Sequence, residues 1–273
     1  PKNISHLKKI LKNEFKNKNF LLRTGLCGHG DKSSLSKSNF VLSLKMMNKM
    51  SRINRKRNII IVEAGAMLFD LTVYLKKNGY FIFNVPGGKN VSLGGAIAGN
   101  VHGRFSSKKF ANFGDNIESL KIVDEKGKIK ILKKNTKLFN RVIGGQSCFG
   151  IIVEATLRVN KIRFYSFIEK KTFIKNLKEF KKFNNNNEKY FGYLNIFDRK
   201  NFSINCTSIS PLREDNKNIS NFSMRDINLP RFFGIFLNRF SIRILYIYLF
   251  KIKKYLSRKN YQINFEKSIY VSN

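Results

Sequence analysis

The sequence predicts an α+β fold in two parts, and three observations carry that prediction. Apolar runs of strand length alternate with short polar breaks and amphipathic helical stretches. One segment, Phe83 to Arg104 (FNVPGGKNVSLGGAIAGNVHGR), sets six glycines between a strand-like run and a His-Gly turn. Beyond about Asn160 the pattern changes, so residues 1–160 read as one domain and residues 161–273 as the start of another.

The elements follow in order. Ile4, Leu7, Ile10 and Leu11 share one helical face among lysines, which predicts a surface helix between Ile4 and Asn17. Phe20 to Leu22, Phe40 to Leu44 and Ile59 to Val62 read as strands, and Leu68 to Lys77 as an amphipathic helix. Ser92 is a suitable N-cap for a short helix running to Asn100, with the positive end of its dipole towards the glycine loop. Ile117 to Leu132 alternates around Glu125-Lys126-Gly127 and predicts a β-hairpin. Thr136 opens a helix that closes at Gly144-Gly145, and Ile151 to Val159 is a strong strand. A strand from Phe164 to Phe173, a helix from Asn176 to Phe183, an exposed loop at Asn184 to Asn187 and a strand from Tyr190 to Phe197 then open the second domain.

Glycine lets a backbone approach a phosphate closely, and exposed N–H groups at a loop then bind the anion. The Gly-rich segment therefore reads as a pyrophosphate cradle, although it has neither GxGxxG nor GxxxxGK[ST] spacing. Its run Pro86-Gly87, Ser92, Gly94-Gly95 and His102-Gly103 resembles the central FAD-binding element of the vanillyl-alcohol-oxidase/PCMH flavoproteins. Two further blocks extend the likeness. Arg23 to Asp31 (RTGLCGHGD) is similar to the first FAD-phosphate loop of that family, and residues 113–159 are similar to its closing hairpin, helix and GG-x-x-x-x-GI strand. Within the superfamily, GGAIAGNVHGR is similar to the group of decaprenylphosphoryl-ribose 2-oxidase-like proteins.

The resemblance implies a PCMH-type FAD-binding domain of two α+β subdomains, followed by an incomplete α+β substrate domain truncated at its C-terminal side. It implies FAD as cofactor. The residues it brings to the cofactor are Arg23, Thr24, Gly25, Leu26, Cys27, Gly28, His29, Gly30, Asp31, Gly87, Ser92, Leu93, Gly94, Gly95, Gly99, Asn100, Val101, His102, Gly103 and Ile152. Some family members attach FAD through a histidine of the first loop, which makes His29 a candidate for a covalent link. The Ser of that motif is missing here, and non-covalent binding is favoured. Cys27 stands where relatives often carry Arg, while Arg23 and Lys89 are cations able to neutralise a diphosphate. The bland reading of His102 is a buried, hydrogen-bonded histidine.

The implied activity is oxidation of a sugar or polyol hydroxyl to a carbonyl by hydride transfer to the flavin, with a lipid-linked or cell-envelope polysaccharide precursor as the expected substrate type. An aldonolactone or alditol oxidase with histidyl-linked FAD is the alternative enzyme, and a cationic binding module without flavin the alternative from another class. The catalytic base is not legible.

Composition narrows the rest. The net charge of +36 comes from 38 Lys against 15 Arg, arrives with abundant Asn, Ile and Phe, and lacks any nucleic-acid-binding pattern, so no nucleic-acid partner is expected. Three unevenly spaced cysteines without a CxxC pair indicate neither a disulfide framework nor a zinc site, and no metal is expected. No run approaches the ~20 apolar residues of a spanning helix. The expectation is a cytoplasmic protein, with peripheral membrane contact through the basic aromatic stretch Arg231 to Tyr255. Glu63, Asp70, Asp115 and Glu154 have no acid/base spacing and read as solvated or capping groups.

Overall fold

The computed structural model describes residues 1–13, 21–23, 41–103, 109–162, 166–186, 190–194, 203–211 and 260–264, with single positions at Asn238, Phe240, Ser241, Ile244 and Tyr248. The chain divides into two compact units, residues 1–103 with 109–162, and residues 104–108 with 163–273.

In the first unit, helix α1 (Ile4–Asn13) buries Leu7 and leaves its lysines in water, as its periodicity requires. Strands β1 (Leu21–Arg23) and β2 (Val41–Ser43) form a parallel pair, Leu21 opposite Val41. A four-stranded antiparallel sheet follows, in the order β3 (Ile59–Glu63), β7 (Ile151–Arg158), β5 (Ile117–Val123), β6 (Ile129–Lys133). Helix α2 (Leu68–Lys77) buries Leu68, Leu71 and Leu75 at i, i+3 and i+7, one apolar stripe of the amphipathic helix expected there. It leads into β4 (Tyr80–Phe81), which pairs with β8 (Asn160–Lys161). Helix α3 (Leu93–Ala98) packs on β3 and β7 and buries Leu93, Ala96 and Ile97. A 3-10 turn at Phe113–Asn116 places Phe113 in the core, and helix α4 (Lys137–Val142) buries Phe139 and Val142.

The hairpin β5–β6 turns through Asp124 to Lys128. Asp124 accepts from the N–H groups of Lys126 and Lys128 at 3.0 and 2.8 Å and pairs with Lys130 at 2.9 Å, and Gly127 takes φ +74°. The hydrogen bond from Lys130, then that from Lys128, holds the Asp124 carboxyl below its ordinary range. The short acidic side chain thus does the work of the turn that the sequence assigns to Glu125-Lys126-Gly127.

In the second unit, four strands lie in the order β10 (Tyr190–Leu194), β11 (Ile204–Pro211), β9 (Ser166–Ile174), β12 (Asn260–Asn264), all antiparallel. Helix α5 (Leu177–Asn186) begins at an Asn176–Glu179 capping pair, with Asn176 Oδ1 accepting from Glu179 N at 2.9 Å and Glu179 Oε2 from Lys175 N at 2.8 Å. Phe180 and Phe183 set their rings edge-on to Tyr190 at 6.3 and 5.2 Å.

Two sequence expectations need correction. Asn184, Asn185 and Asn186 continue α5 rather than forming a loop, because Asn costs a helix only a few tenths of a kcal/mol more than the better formers and Asn184 accepts from the Tyr190 hydroxyl. Helix α3 stops at Ala98, two residues before Asn100, because Asn100 takes φ +39° and its side chain turns to Gly114 N at 3.0 Å. Residues 14–17 of the expected first helix lie outside the described residues.

Candidate functional site

Asn84, two residues before Pro86, organises the start of the glycine segment. It is fully buried at φ +56°, a conformation Asn tolerates better than most residues. Its Oδ1 accepts from Gly103 N at 3.3 Å and its Nδ2 donates to Phe110 O. A Cβ on Gly103 would sit 2.1 Å from Val85 O, so the His-Gly turn needs glycine for close backbone packing. Phe83 stacks on Phe110 at 4.6 Å. The segment is therefore tied off at both ends by its own chain.

Helix α3 is tied as firmly. At its N-terminus Leu93 N donates to Ala66 O and Gly94 N to Ala64 O, both at 2.8 Å, and Gly95 N donates to Ser92 Oγ at 3.3 Å. At its C-terminus Ile97 O accepts from Gly144 N and Ala98 O from Gln146 N, both at 3.0 Å. This corrects the expected use of the helix dipole, since the first-turn N–H groups are already engaged by the fold. Backbone donors with no partner among the described residues include those of Gly87, Gly88, Lys89 and Asn90. Lys89 lies over the Phe69 ring at 5.6 Å.

The exposed side of α3 carries no side chain where Gly95 and Gly99 stand one turn apart. A solvent-facing helical glycine costs about 1 kcal/mol relative to alanine. Bare helix backbone beside a loop with free N–H groups fits a large planar cofactor with a diphosphate, and both features belong to one continuous stretch, Gly87 to Gly99. The residues present therefore fit FAD.

Of the other sequence-predicted positions, Ser92 and Gly94 are buried, Asn100, Val101 and Gly103 are half-buried, and His102 is exposed, which overturns its reading as a buried histidine. Ile152 is buried on β7 opposite Ile122, beside a register shift. Arg23 ends β1, its backbone paired with Ser43. Thr24, Gly25, Leu26, Cys27, Gly28, His29, Gly30 and Asp31 lie outside the described residues, as does most of Arg231 to Tyr255. Within that stretch Phe240, Ile244 and Tyr248 are exposed. Glu63 accepts from Lys49 N at 2.8 Å, Asp115 from Asn112 N at 2.8 Å, and Glu154 pairs with Lys121 at 2.5 Å. Among the described residues no His, Cys, Asp and Glu cluster could hold a metal ion. No described helix is long and apolar enough to cross a membrane.

Two features escape a reading of the sequence. The loop that caps α3 holds Gln146 and Ser147 at φ +49° and +66°, consecutive left-handed positions without glycine. In the second unit, Ser203, Asn205 and Thr207 alternate along β11 and its approach, and the register sets Asn205 opposite Phe173 and Thr207 opposite Lys171. Lys171 Nζ reaches Glu169 Oε1 at 3.7 Å on the same face. The Nδ2 of Asn205 is buried without a hydrogen-bond partner. Ile209 and Phe167 are buried on the same face, so Ser203, Asn205 and Thr207 form a polar patch beside an apolar one, and its only trace in the sequence is the serine, asparagine and threonine of SINCTSIS.

Residues 1–133 match the family described as FAD binding domain. Decaprenylphosphoryl-beta-D-ribose oxidase of Mycolicibacterium smegmatis is 26% identical over 131 residues, 47% of this chain and 28% of that protein. The mitochondrial L-galactono-1,4-lactone dehydrogenase of Arabidopsis thaliana is 27% identical over 187 residues, 67% of this chain and 29% of that protein. The chain thus spans less than a third of the length of either relative. The solved structure of BBE-like #28 from Arabidopsis thaliana superposes with a TM-score of 0.60 at 17% identity, over 78% of this chain and 46% of that one, a likeness of fold.

Proposed function

We propose that the chain carries a PCMH-type FAD-binding domain like that of the vanillyl-alcohol-oxidase flavoproteins, with FAD as its cofactor, and that it belongs to an oxidoreductase converting a sugar or polyol CH–OH group to a carbonyl. The observation that carries the reading is the stretch Gly87 to Gly99, where free backbone donors run into a bare helix face. Bound FAD supplies the two-electron acceptor for hydride from the alcohol carbon.

The chain's own contribution is to hold and to exclude. Gly87 to Asn90 offer N–H groups to the diphosphate, Gly95 and Gly99 give the cofactor close access to the α3 backbone, and His102 presents an exposed imidazole to it. In the second unit the buried Asn205 amide lacks a hydrogen-bond acceptor, and a substrate hydroxyl that reached β11 would supply one. A sugar or lactone substrate accords with both relatives, one named as an oxidase of a decaprenylphosphoryl ribose and the other as a dehydrogenase of an aldonolactone. On this reading the hydroxyl belongs to a lipid-linked or cell-envelope polysaccharide precursor.

The test is the absorption spectrum of the purified protein, before and after incubation with FAD and removal of the excess, followed by dye reduction with aldonolactones and free sugars. Flavin bands and dye bleaching support the proposal. A colourless protein that takes up no FAD overturns it. Acid precipitation separates the attachments, since colour in the pellet means a covalent link, with His29 the candidate, and colour in the supernatant means none.

A further inference from the structure

Residues Lys45 to Arg57 carry six cations and no acid. Lys45, Lys49, Arg52, Arg55, Lys56 and Arg57 are all exposed, and none has an ion pair or hydrogen bond through its side chain among the described residues. Lys121, Lys130, Arg158 and Lys171 are, by contrast, each matched to a carboxylate. The cluster also departs from the composition of the chain. Lysine outnumbers arginine 38 to 15 overall, yet three of the four cations between Arg52 and Arg57 are arginines. Compositional drift towards lysine does not produce that.

The backbone beneath is a built hairpin. Ser51 N donates to Ile61 O at 2.8 Å, Ile61 N to Ser51 Oγ at 3.0 Å, Asn54 N to Ile59 O at 2.8 Å, and Arg57 N to Asn54 Oδ1 at 3.0 Å. Asn58 at φ +53° closes the turn, and β3 anchors the returning arm in the main sheet. Arg55, Lys56 and Arg57 therefore stand together at a fixed tip. Three unpaired cations at one tip repel each other, and an external anion removes that cost.

We infer that the hairpin Ser51 to Ile61 is a docking surface for an anionic phospholipid membrane. Guanidinium groups bind phosphate in a fork, and an array of lipid headgroups offers phosphates without requiring any particular register. A single-stranded nucleic acid would call for aromatic stacking platforms, and residues 45–61 contain no aromatic side chain. Ile61, 42% exposed on the returning strand, and Met46, 58% exposed, add apolar groups compatible with the interface. The inference does not depend on whether the protein holds flavin.

Sedimentation of the full chain with vesicles tests it. The protein should pellet with phosphatidylserine-containing vesicles at low salt, stay in solution with pure phosphatidylcholine, and be released by added salt. Each cation near such a surface contributes about fivefold in affinity, so Arg55→Ser, Lys56→Ser and Arg57→Ser combined should weaken binding roughly a hundredfold. The same charge loss at Lys126→Ser, Lys128→Ser and Lys133→Ser on the other hairpin should weaken it far less. If the first triple variant loses its circular dichroism signal, Arg55→Ser alone serves, with an expected loss of about fivefold. Equal losses from the two triples overturn the inference, as does a parent protein that ignores anionic vesicles or prefers an oligonucleotide to them.

Discussion

Asn84 and Gly103 are locked to each other, with the Gly103 N–H on Asn84 Oδ1 at 3.3 Å and the α-carbon of Gly103 so close that a methyl group there would lie 2.6 Å from the Asn84 carbonyl carbon. Eighteen residues of glycine-rich chain lie between them, and this clasp together with the Asn84–Phe110 bond closes the segment into one loop.

Replacing Asn84 by Leu should therefore destabilise the first unit strongly. It leaves Gly103 N and Phe110 O without their partner, about 1–3 kcal/mol each, and puts a branched side chain at a left-handed position. Asn84→Asp should cost less, because the acceptor for Gly103 survives. Urea unfolding midpoints read the difference. Equal stability of Asn84→Leu and the parent would show the clasp to be incidental.

Gly94 and Gly95 are adjacent in sequence and opposite in environment, which separates a cofactor effect from a folding effect. Gly94 is buried against the loop after β3, so Gly94→Val should unfold or strongly destabilise the protein even without flavin. Gly95 is exposed, and valine is the better helix former by a few tenths of a kcal/mol. Gly95→Val should hence keep the melting temperature of the flavin-free protein while losing retained FAD. Stoichiometric flavin in that variant would place the cofactor elsewhere.

Much of this architecture was readable from residue pattern. The stripe of Leu68, Leu71 and Leu75 and the Ser92 cap fix local structure through neighbours within a turn, whereas the alternation expected of β5 is broken by register shifts at Ile117/Ser119 and Lys121/Ile122. What was illegible depends on residues far apart in the chain. Nothing near Leu93 or Gly94 announces that their N–H groups are claimed by Ala66 and Ala64, and a helix start read alone looks like a free anion site. The polar face of β11 is hidden for the same reason, since Asn205 acquires meaning only from its register against Phe173 and the neighbouring Thr207–Lys171 row.

Gln146 and Ser147 hold left-handed backbones while capping the C-terminal carbonyls of α3 through Gly144 N and Gln146 N. Such positions cost of order 1 kcal/mol each for residues other than glycine. Ser147→Gly should relieve that cost and raise the thermal midpoint by a few degrees. A drop in the midpoint instead would mean that the serine side chain contributes more than its backbone costs.

The two cysteines in the described residues should behave as opposites. Cys148 is exposed in the loop after α4, while Cys206 is buried on β11, where desolvation pushes its thiol up to about 11. Iodoacetamide at about pH 8 should therefore label Cys148 in the folded protein and spare Cys206, which reacts only after denaturation. The same burial links stability to pH. A thiol raised in the folded state contributes stability that is complete below its unfolded value, near 8.5–9, and that drains away as pH climbs from there through about 11. Parent protein should lose stability across that alkaline window more steeply than Cys206→Ala, and the two should run parallel below it. Mass mapping that finds Cys206 alkylated as fast as Cys148 in the native state would mean that β11 opens readily, and the polar face it carries could not be a preformed surface.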